Sequence, residues 1–412
     1  MSQGTNDVAN DVRVIQLDAN QELCFLMEAD DNVKIEISNG LAYCFSHPLP
    51  IRKQVSFSRE PFPISTENGC VVSLSGKYLS CFRQKFEMPS FFEQIKAEIN
   101  SGKMPVTCVV GAPGAGKTSM AKWICNYILQ NFSGKYPLFI NGDPDQALFS
   151  PAGCIGALPV TETISEKGFP FTDPLVYFFG STIIHEERQR LYVDQMLELA
   201  SHVKKRREAR PDEDGGVVID FPTIKSNFML ECLDNVINSF GVTRLIVMGN
   251  DIIFEDYQKK FPNIQIDRFP IMPGSISLSK EAKTAIKNYQ IKRYFYGDRA
   301  PELFPTTHLL YKEEIGLFSL GPLVNRHEQQ QLSTIETPDP KNPSPVAFGT
   351  RFENCIFAII PQSAKNEMWK QNAIGFLHVL KYTDEGQLEV LKPARAALPS
   401  STIIASLIKW IN

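Results

Sequence analysis

The stretch that decides the fold is Gly111-Ala112-Pro113-Gly114-Ala115-Gly116-Lys117-Thr118, with Ser119 next. It fits the pattern G-x-x-x-x-G-K-[ST], which a chain of this composition matches by chance about once in a hundred. An apolar run at 106–110 precedes it, and an amphipathic helix is predicted over Lys117–Asn131. The glycines let backbone N–H groups surround phosphates. The stretch, a Walker A motif, therefore predicts a nucleotide phosphate site built from Gly111, Pro113, Gly114, Ala115, Gly116, Lys117, Thr118 and Ser119.

Within this site, Lys117 is predicted to neutralise the β- and γ-phosphate oxygens and the Thr118 hydroxyl to ligate Mg²⁺. A carboxylate at the end of a nearby strand should complete the metal site. Asp143 follows a predicted strand at 137–141, and Asp220 ends one at 216–220. Either could hold Mg²⁺ or accept a proton from an acceptor hydroxyl, and the alternative for both is a turn or helix N-cap. Which of the two is the main Mg²⁺ partner stays open.

The sequence around the motif alternates predicted strands and helices. Further strands are predicted at 244–249 and 264–269, and a long helix at 185–207. This alternation is typical of a mostly parallel sheet with helices on both faces. The predicted fold class is α/β: a central P-loop domain at 88–303 between two small β domains.

The N-terminal β domain is predicted at 1–87. Residues 33–37 alternate apolar with charged side chains, as a strand does, and Asn39-Gly40 predicts a hairpin turn into a returning strand at 41–45.

The C-terminal β-rich domain is predicted at 304–412. Two strands at 374–383 and 387–392 flank a predicted three-residue turn. The proline-rich stretch 337–345 predicts a loop, and 401–411 is helix-like.

Composition excludes several classes of protein. The 412 residues carry a net charge of −4, which excludes a polybasic protein held on nucleic acid by bulk charge. The sequence contains no uncharged apolar run of 18 residues, so no membrane span is predicted. The start of the chain is polar, so secretion is not predicted. The nine cysteines form no C-x-x-C pair, so they predict buried free thiols in a reducing compartment rather than a zinc site.

Beyond the P-loop, four sequence blocks resemble one kinase family. They are DPDQ at 143–146, PAGCIGA at 151–157, PLVYFFGS at 174–181 and KRYFYG at 292–297. The chain resembles the Clp-type RNA 5′-hydroxyl polynucleotide kinases, whose members serve in the nuclear pre-mRNA cleavage and polyadenylation complex. The resemblance implies ATP and Mg²⁺ as ligands, a nuclear role in mRNA 3′-end formation, and contacts with a scaffold subunit of the cleavage factor and other processing proteins. A direct RNA contact stays open.

The resemblance also places Glu22 at a family position that contacts the nucleotide, while a family lysine nearby aligns with Pro61. Active members carry a tryptophan that stacks on the acceptor base, where this chain has Ile224, with Phe221 as a possible substitute. They also carry lid arginines, where this chain has only Lys280, Lys283 and Lys287, and a proline-containing clasp, replaced here by residues 183–185. Lysine lacks the bidentate fork of arginine.

These departures make the sequence look more like the fungal members, which resemble nucleotide-bound structural subunits. The prediction is an ATP-binding subunit of the cleavage complex, required for cleavage and 3′-end formation, with little or no kinase activity. The alternative is an active kinase that transfers the ATP γ-phosphate to an RNA 5′-hydroxyl. In that case Lys117 would stabilise charge, Thr118 would hold Mg²⁺ and Asp143 would act as base.

Overall fold

The structure is a computed structural model that describes residues 12–170, 173–275, 277–297, 303–321, 323 and 341–410. Its N-terminal part is a β-sandwich of a four-stranded sheet (order β1-β8-β3-β6) and a five-stranded sheet (order β5-β4-β7-β2-β9) around one apolar core. The strands are β1 (Arg13–Leu17), β2 (Gln21–Leu26), β3 (Asn32–Gly40), β4 (Tyr43–Cys44), β5 (His47–Pro48), β6 (Gln54–Ser58), β7 (Phe62–Thr66), β8 (Cys70–Lys77) and β9 (Ser80–Lys85).

The hairpin predicted at Asn39-Gly40 is wrong. Both residues belong to β3 and pair with Val71 and Cys70 of β8, and the following segment crosses to the other sheet as β4. Gly40 does adopt a positive φ of 81°, but a Cβ there would collide with the backbone of Gly69. The glycine therefore permits a close approach of two strands rather than a two-residue turn.

The central part is a seven-stranded sheet of order β13-β12-β11-β14-β10-β15-β16 with helices on both faces. The five strands from β11 to β16 in that order are parallel, and β12 and β13 extend the sheet antiparallel. The elements are α1 (Phe91–Asn100), β10 (Val106–Gly111), α2 (Lys117–Asn131), β11 (Tyr136–Asn141), β12 (Cys154–Pro159), β13 (Leu175–Phe178), α3 (Gln189–Ala209), β14 (Asp214–Asp220), α4 (Asn227–Phe240), β15 (Arg244–Met248), α5 (Asp251–Lys260), β16 (Gln265–Phe269) and α6 (Lys280–Tyr296).

The buried side chains of β10 explain why this strand lies in the middle of the sheet. Cys108 and Val110 pack on the face covered by α3 and α4, while Val109 packs on the opposite face with α1 and α2. A strand that is buried on both faces reads as a continuous apolar run, as the sequence of β10 does. The predicted mostly parallel sheet is confirmed. The helix predicted at 185–207 begins only at Gln189, after a 3₁₀ turn at Glu186–Arg188.

The C-terminal part is a second seven-stranded sheet of order β17-β22-β21-β20-β23-β18-β19. The predicted hairpin is confirmed, because β21 and β22 pair antiparallel on either side of a turn. The helix predicted at 401–411 is wrong: residues 402–404 form a strand, as suits the β-branched pair Ile403 and Ile404. The strands are β17 (Thr306–Leu310), β18 (Gly316–Ser319), β19 (Ser344–Pro345), β20 (Ile356–Ile360), β21 (Gly375–Tyr382), β22 (Leu388–Lys392) and β23 (Thr402–Ile404).

The remaining predictions concern the proline-rich loop, membrane spans and the cysteines. Of the loop predicted at 337–345, residues 337–340 lie outside the described residues, and 341–345 are non-helical and contain β19. No described helix is long and apolar enough to cross a membrane. All nine cysteines are free thiols, and all but the half-buried Cys81 are buried, as predicted.

The C-terminal sheet packs on the central sheet and on the end of α6. Trp410 stacks on Phe295 with ring centroids 5.6 Å apart, and the Tyr294 hydroxyl accepts a hydrogen bond from the backbone N–H of Phe376 at 2.9 Å. One apolar core runs through both parts. The C-terminal sheet therefore supports α6, the helix that closes the site described next.

Candidate functional site

The phosphate-binding loop joins β10 to α2 in a conformation that requires glycine. Gly111 has a φ of +155°, and a Cβ there would collide with the carbonyl oxygen of Met248. Gly116 has a φ of +89° and is the N-cap of α2 without any side-chain cap. The first N–H groups of α2 have no intrahelical partner, and the N-cap offers no side chain to them; N–H groups in this arrangement can bind a phosphate.

The two motif side chains at the start of α2 contact the end of β14 and the loop after it. The Lys117 ammonium donates to the Thr223 hydroxyl at 2.9 Å and lies 3.4 Å from the carbonyl oxygen of Ala112. Thr118 donates its hydroxyl hydrogen to a carboxylate oxygen of Asp220 at 2.5 Å. Burial lowers the pKa of Lys117, and the nearby carboxylates oppose that shift. The loop thus presents an ammonium and a hydroxyl beside a buried acid.

Asp220 and Asp143 meet because their strands are neighbours. Asn141 of β11 pairs in register with Asp220 of β14, and Asp143 follows two residues later. Burial raises the pKa of both carboxyls, that of Asp220 to about 6. Asp143 accepts a hydrogen bond from the backbone N–H of Asp145 at 3.0 Å. The structure thus brings both sequence-predicted acids to the phosphate loop, but only Asp220 bonds to Thr118.

The pair of Thr118 and Asp220 fits a magnesium ion. A P-loop hydroxyl and a strand-end aspartate are the two protein ligands with which P-loop proteins hold Mg²⁺. Burial raises the pKa of Asp220 in spite of the nearby Lys117 ammonium, and a divalent cation would add positive charge beside this carboxylate. Within the described part of the chain there is no cluster of three or more His, Cys, Asp or Glu side chains that could bind a metal without a nucleotide.

The loop opens into a cleft of about 340 Å³ whose walls come from three parts of the chain. The N-terminal sandwich contributes residues 60–63 with Phe25 and Phe45, and the central domain contributes the phosphate loop and the ends of β11 and β14. The third wall consists of residues 272–275, 277–278, Lys283, Ile286 and Lys287. Among the predicted ligands, those lining the cleft are Pro113, Gly114, Ala115, Gly116, Lys117, Thr118, Ser119, Asp143 and Asp220.

Gly111 and Glu22 do not line this cleft. Gly111 shapes the loop from the end of β10. The Glu22 carboxylate accepts hydrogen bonds from the Gln84 amide at 2.7 Å and from the Cys24 thiol at 3.2 Å, and burial raises its pKa. The nucleotide contact proposed for Glu22 stays a prediction.

The segment that leads into α6 lies directly over the phosphate loop. A Cβ on Gly114 would come within 2.7 Å of the Ser277 hydroxyl, and one on Gly116 within 2.7 Å of the Ser275 hydroxyl. Between these serines and the sandwich, Gly274 approaches the Cβ of Cys24. This segment therefore connects the phosphate loop with the N-terminal sandwich.

The lid lysines are placed unequally. Lys283 and Lys287 line the cleft, whereas Lys280 does not, and Lys287 pairs with Asp145. Ile183 and Ile184, at the position of the family's clasp, also line the cleft. The lysines that the sequence grouped on one helix face therefore differ in their surroundings. Lys287 is paired and half-buried, whereas Lys280 and Lys283 are both exposed and only Lys283 of these two lines the cleft.

The residues that the sequence suggested for stacking on the base of an RNA acceptor do not line the cleft. Ile224 is half-buried and packs against the apolar core rather than lining the cleft, and Phe221 is completely buried, so it offers no ring face to a ligand. The cleft is instead lined by Lys225, just before α4, and by Phe228 in the first turn of α4. Sequence reasoning missed both residues, and no motif in the sequence marks them.

Glu60 and Lys122 were also missed. They line the cleft from opposite walls, with the Lys122 ammonium 3.2 Å from a Glu60 carboxylate oxygen. The only sequence signal is that Lys122 lies four residues after Thr118 and therefore on the same face of α2.

Three family models match consecutive parts of the chain. They are described as the N-terminal beta-sandwich domain of polyadenylation factor (residues 16–100), the mRNA cleavage and polyadenylation factor CLP1 P-loop (residues 111–297) and the pre-mRNA cleavage complex II protein Clp1 (residues 303–412).

Full-length relatives carry related names. The chain is 26% identical to the protein CLP1 homolog of Brugia malayi over 440 residues, which cover all of this chain and 99% of the relative. It is 24% identical to the polyribonucleotide 5′-hydroxyl-kinase Clp1 of Homo sapiens over 437 residues, which cover both chains completely.

Two solved structures share the fold. One is a wild-type Clp1p–Pcf11p complex, with a TM-score of 0.84, 21% identity and coverage of 97% of this chain and 98% of the other. The second describes an extended interface between Pcf11p and Clp1p and the structural basis for ATP loss in a point mutant, with a TM-score of 0.83, 20% identity and coverage of 97% and 99%.

Proposed function

Because the chain belongs to the Clp1 family of mRNA cleavage and polyadenylation factors, we propose that it is an ATP-binding subunit of the nuclear pre-mRNA cleavage and polyadenylation complex. In this proposal the nucleotide is held structurally and the protein is required for cleavage and mRNA 3′-end formation. The observation that carries the proposal is the complete phosphate side of the cleft: the glycine loop, Lys117, and Thr118 bonded to Asp220.

ATP with Mg²⁺ is the ligand that this site supports. Lys117 would contact the β- and γ-phosphates, Ser119 and the first-turn N–H groups would lie along the phosphate chain, and Thr118 with Asp220 would hold the metal. Bound Mg²⁺ would neutralise phosphate charge and compensate the buried Asp220. Asp143 lies on the same side, and we assign it a supporting role in the metal site.

The cleft connects parts of the chain that are distant in sequence. Besides the Glu60–Lys122 pair, the guanidinium carbon of Arg59 lies 4.3 Å from the centroid of the Tyr289 ring on α6. A ligand in the cleft would contact the sandwich, the phosphate loop and the lid helix at once. A nucleotide that binds only this closed arrangement stabilises it by mass action. This is why we propose a structural use of ATP.

The partner that we propose is a Pcf11-type scaffold subunit. Two solved structures with this fold concern Clp1p and Pcf11p, and one of them addresses the loss of ATP in a point mutant. We propose that scaffold docking requires the domain arrangement that ATP holds.

A reconstitution tests this proposal. The scaffold fragment is titrated onto wild-type protein and onto Lys117→Ala, each with and without ATP and Mg²⁺, with Lys204→Ala as the control at an exposed lysine of α3. We expect wild type and Lys204→Ala to retain ATP and bind the scaffold, and Lys117→Ala to lose the nucleotide and bind the scaffold more weakly. Equal nucleotide retention by Lys117→Ala would contradict the site, and equal scaffold binding by nucleotide-free protein would contradict the structural use.

A second candidate function is RNA 5′-hydroxyl kinase activity. The observation that favours it is that an acid, two lysines and an aromatic side chain line the cleft besides the phosphate loop. They are Asp143, Lys225, Lys283 and Phe228. Asp143 would take the hydroxyl proton, the lysines would stabilise charge, and Phe228 would offer a ring to the acceptor base. Incubation with γ-labelled ATP and a 5′-hydroxyl oligoribonucleotide distinguishes the two: label transfer supports the kinase, and bound ATP without transfer supports the assembly subunit.

A further inference from the structure

The two halves of α6 are attached to the protein differently. In the second half, Ile291 and Phe295 are buried in the apolar core that the central and C-terminal sheets share. The first half is mostly exposed at 280–284, and it lies over the cleft with Lys283 and Ile286 among the lining residues. The helix is thus anchored at its C-terminal end, and its first half is the part that can move away from the cleft.

Three side-chain contacts connect the middle of α6 to the other two walls of the cleft, and we call them the latch. They are the cation–π contact of Tyr289 with Arg59, the hydrogen bond from the Gln290 amide to the carbonyl oxygen of Leu148, and the ion pair of Lys287 with Asp145. The first contact goes to the N-terminal sandwich, where the guanidinium carbon lies 4.3 Å from the ring centroid. The other two go to the segment that follows β11. The helix is therefore attached on both sides of the cleft.

The other two walls are joined to each other without the latch. The Trp123 indole N–H donates to the Ser46 hydroxyl at 2.9 Å, and the Asn126 amide donates to the carbonyl oxygen of Phe45 at 2.8 Å. Both bonds run from α2 to the loop between β4 and β5, and the Asn126 side chain is buried. The sandwich and the central domain therefore keep their places when the latch breaks, and α6 is the wall that can move.

Each contact of the latch is weak by itself. The side chains of Lys287 and Asp145 are 26% and 41% exposed. A partly exposed ion pair or a surface cation–π contact changes an equilibrium by about fivefold at most. The middle of α6 is thus held by a few weak contacts, whereas its end is held by a buried core. Segments held in this way open locally while the rest of a protein stays folded.

We propose that the latch sets how fast a nucleotide enters and leaves the cleft and not how tightly it binds. This inference rests on the proposed nucleotide site. The latch joins protein groups to one another, so it holds α6 closed both with and without a ligand. Weakening it raises the open fraction in both states, so the association and dissociation rates rise by the same factor while Kd stays constant. Loss of a ligand contact would instead raise Kd, mainly through faster dissociation.

The test measures the exchange of radiolabelled ATP with Mg²⁺. Equilibrium dialysis gives Kd, a chase with unlabelled ATP gives the dissociation rate, and their ratio gives the association rate. The variants are Tyr289→Leu and Gln290→Met, singly and combined, because neither residue lines the cleft. Lys292→Gln is the control at an exposed lysine of the same helix.

We expect the control to exchange ATP like the wild type. Each single variant should speed dissociation by about two- to fivefold, and the combined variant by about fivefold or more, because the two contacts go to different walls and their effects multiply. Kd should be unchanged in all of them. Backbone hydrogen exchange at 284–290 should be faster in the combined variant with and without ATP, while exchange in the central sheet stays at the wild-type rate and shows that the fold is intact.

Two results would overturn the inference alone, in a protein that does bind ATP. One is an unchanged dissociation rate in the combined variant. The other is faster dissociation with a raised Kd and an unchanged association rate, which would make these side chains ligand contacts. If the wild type binds no ATP, the nucleotide site itself is refuted, and the inference is refuted with it.

Discussion

Replacing the carboxylate of Asp220 by an amide should stabilise the nucleotide-free protein at neutral pH and weaken its hold on Mg²⁺-ATP. Asp220 is 1% exposed, and its pKa is raised from 3.8 to about 6, first by burial and less by the neighbouring Asp143. That difference of pKa corresponds to about 3 kcal/mol of folding free energy lost at a pH above both values. In Asp220→Asn the amide oxygen can still accept the Thr118 hydroxyl, so the hydrogen bond of that pair is kept.

The pH dependence of this effect has a definite sign. The folded protein binds the Asp220 proton more tightly than the unfolded chain, so wild-type stability is favoured at low pH and falls as the pH rises from about 4 to about 6. An amide does not titrate. The stability gained by Asp220→Asn should therefore be close to zero near pH 4 and reach its maximum of about 3 kcal/mol above pH 6, because the raised pKa already includes the attraction to Lys117.

Thermal melting of nucleotide-stripped wild type and Asp220→Asn between pH 4.5 and pH 8 measures this, with Asp212→Asn as the control at an exposed aspartate. We expect the variant to melt at the higher temperature at pH 8 without ligand. With saturating Mg²⁺-ATP the order should reverse, because the charged carboxylate attracts the ion more strongly than the neutral amide does. Lower stability of the stripped variant at pH 8, or a gain that does not shrink toward pH 4.5, would refute the assignment of Asp220 as the buried, metal-binding acid.

Three further predictions concern nucleotide binding, stability and activity. Lys117→Ala should lower ATP affinity, and Thr118→Ala should weaken its dependence on Mg²⁺, both measured by titration of stripped protein; unchanged ATP retention in the first would contradict the phosphate site. Mg²⁺-ATP at one hundred times its Kd should stabilise the native state by about 2.7 kcal/mol. Identical melting with and without nucleotide would contradict the structural use of ATP. The wild type should show little or no transfer of label to a 5′-hydroxyl RNA, whereas Ile224→Trp combined with Lys283→Arg and Lys287→Arg should gain activity. Wild-type turnover in the ordinary kinase range of ~1–100 s⁻¹ would instead establish the second candidate function.

The last of these predictions needs care in its design, because Ile224 packs against the core rather than lining the cleft. A tryptophan there would have to turn outward to stack on a base. Phe228→Ala is the matched companion: it removes the aromatic ring that does line the cleft. If RNA binding depends on Phe228 and not on position 224, the acceptor platform lies in the first turn of α4 rather than in the loop that precedes it.

The sequence by itself determined the conformation of the proposed phosphate loop, because the determinants of that conformation are local. The left-handed glycines, the lysine and the hydroxyl follow one another between a buried strand and a helix, and each acts through backbone geometry within a few residues. The same holds for the hairpin of β21 and β22, and for the helix that the sequence placed at Lys117–Asn131. Where the local signal was ambiguous, as at Asn39-Gly40, pairing with a distant strand decided the structure.

Only the tertiary structure decided which groups share the cleft. Thr118 bonds to Asp220 rather than to Asp143, and these two partners are 102 residues apart in the sequence. They meet because β14, which ends at Asp220, lies next to β10, which leads into the phosphate loop. The pair of Glu60 and Lys122 is 62 residues apart and exists because the sandwich packs over α2. Whether Ile224 or Phe228 faces the ligand depends on where α4 begins and which face it buries. Sequence patterns report local conformation and burial, whereas a binding site is a set of distances between segments, and packing fixes those distances.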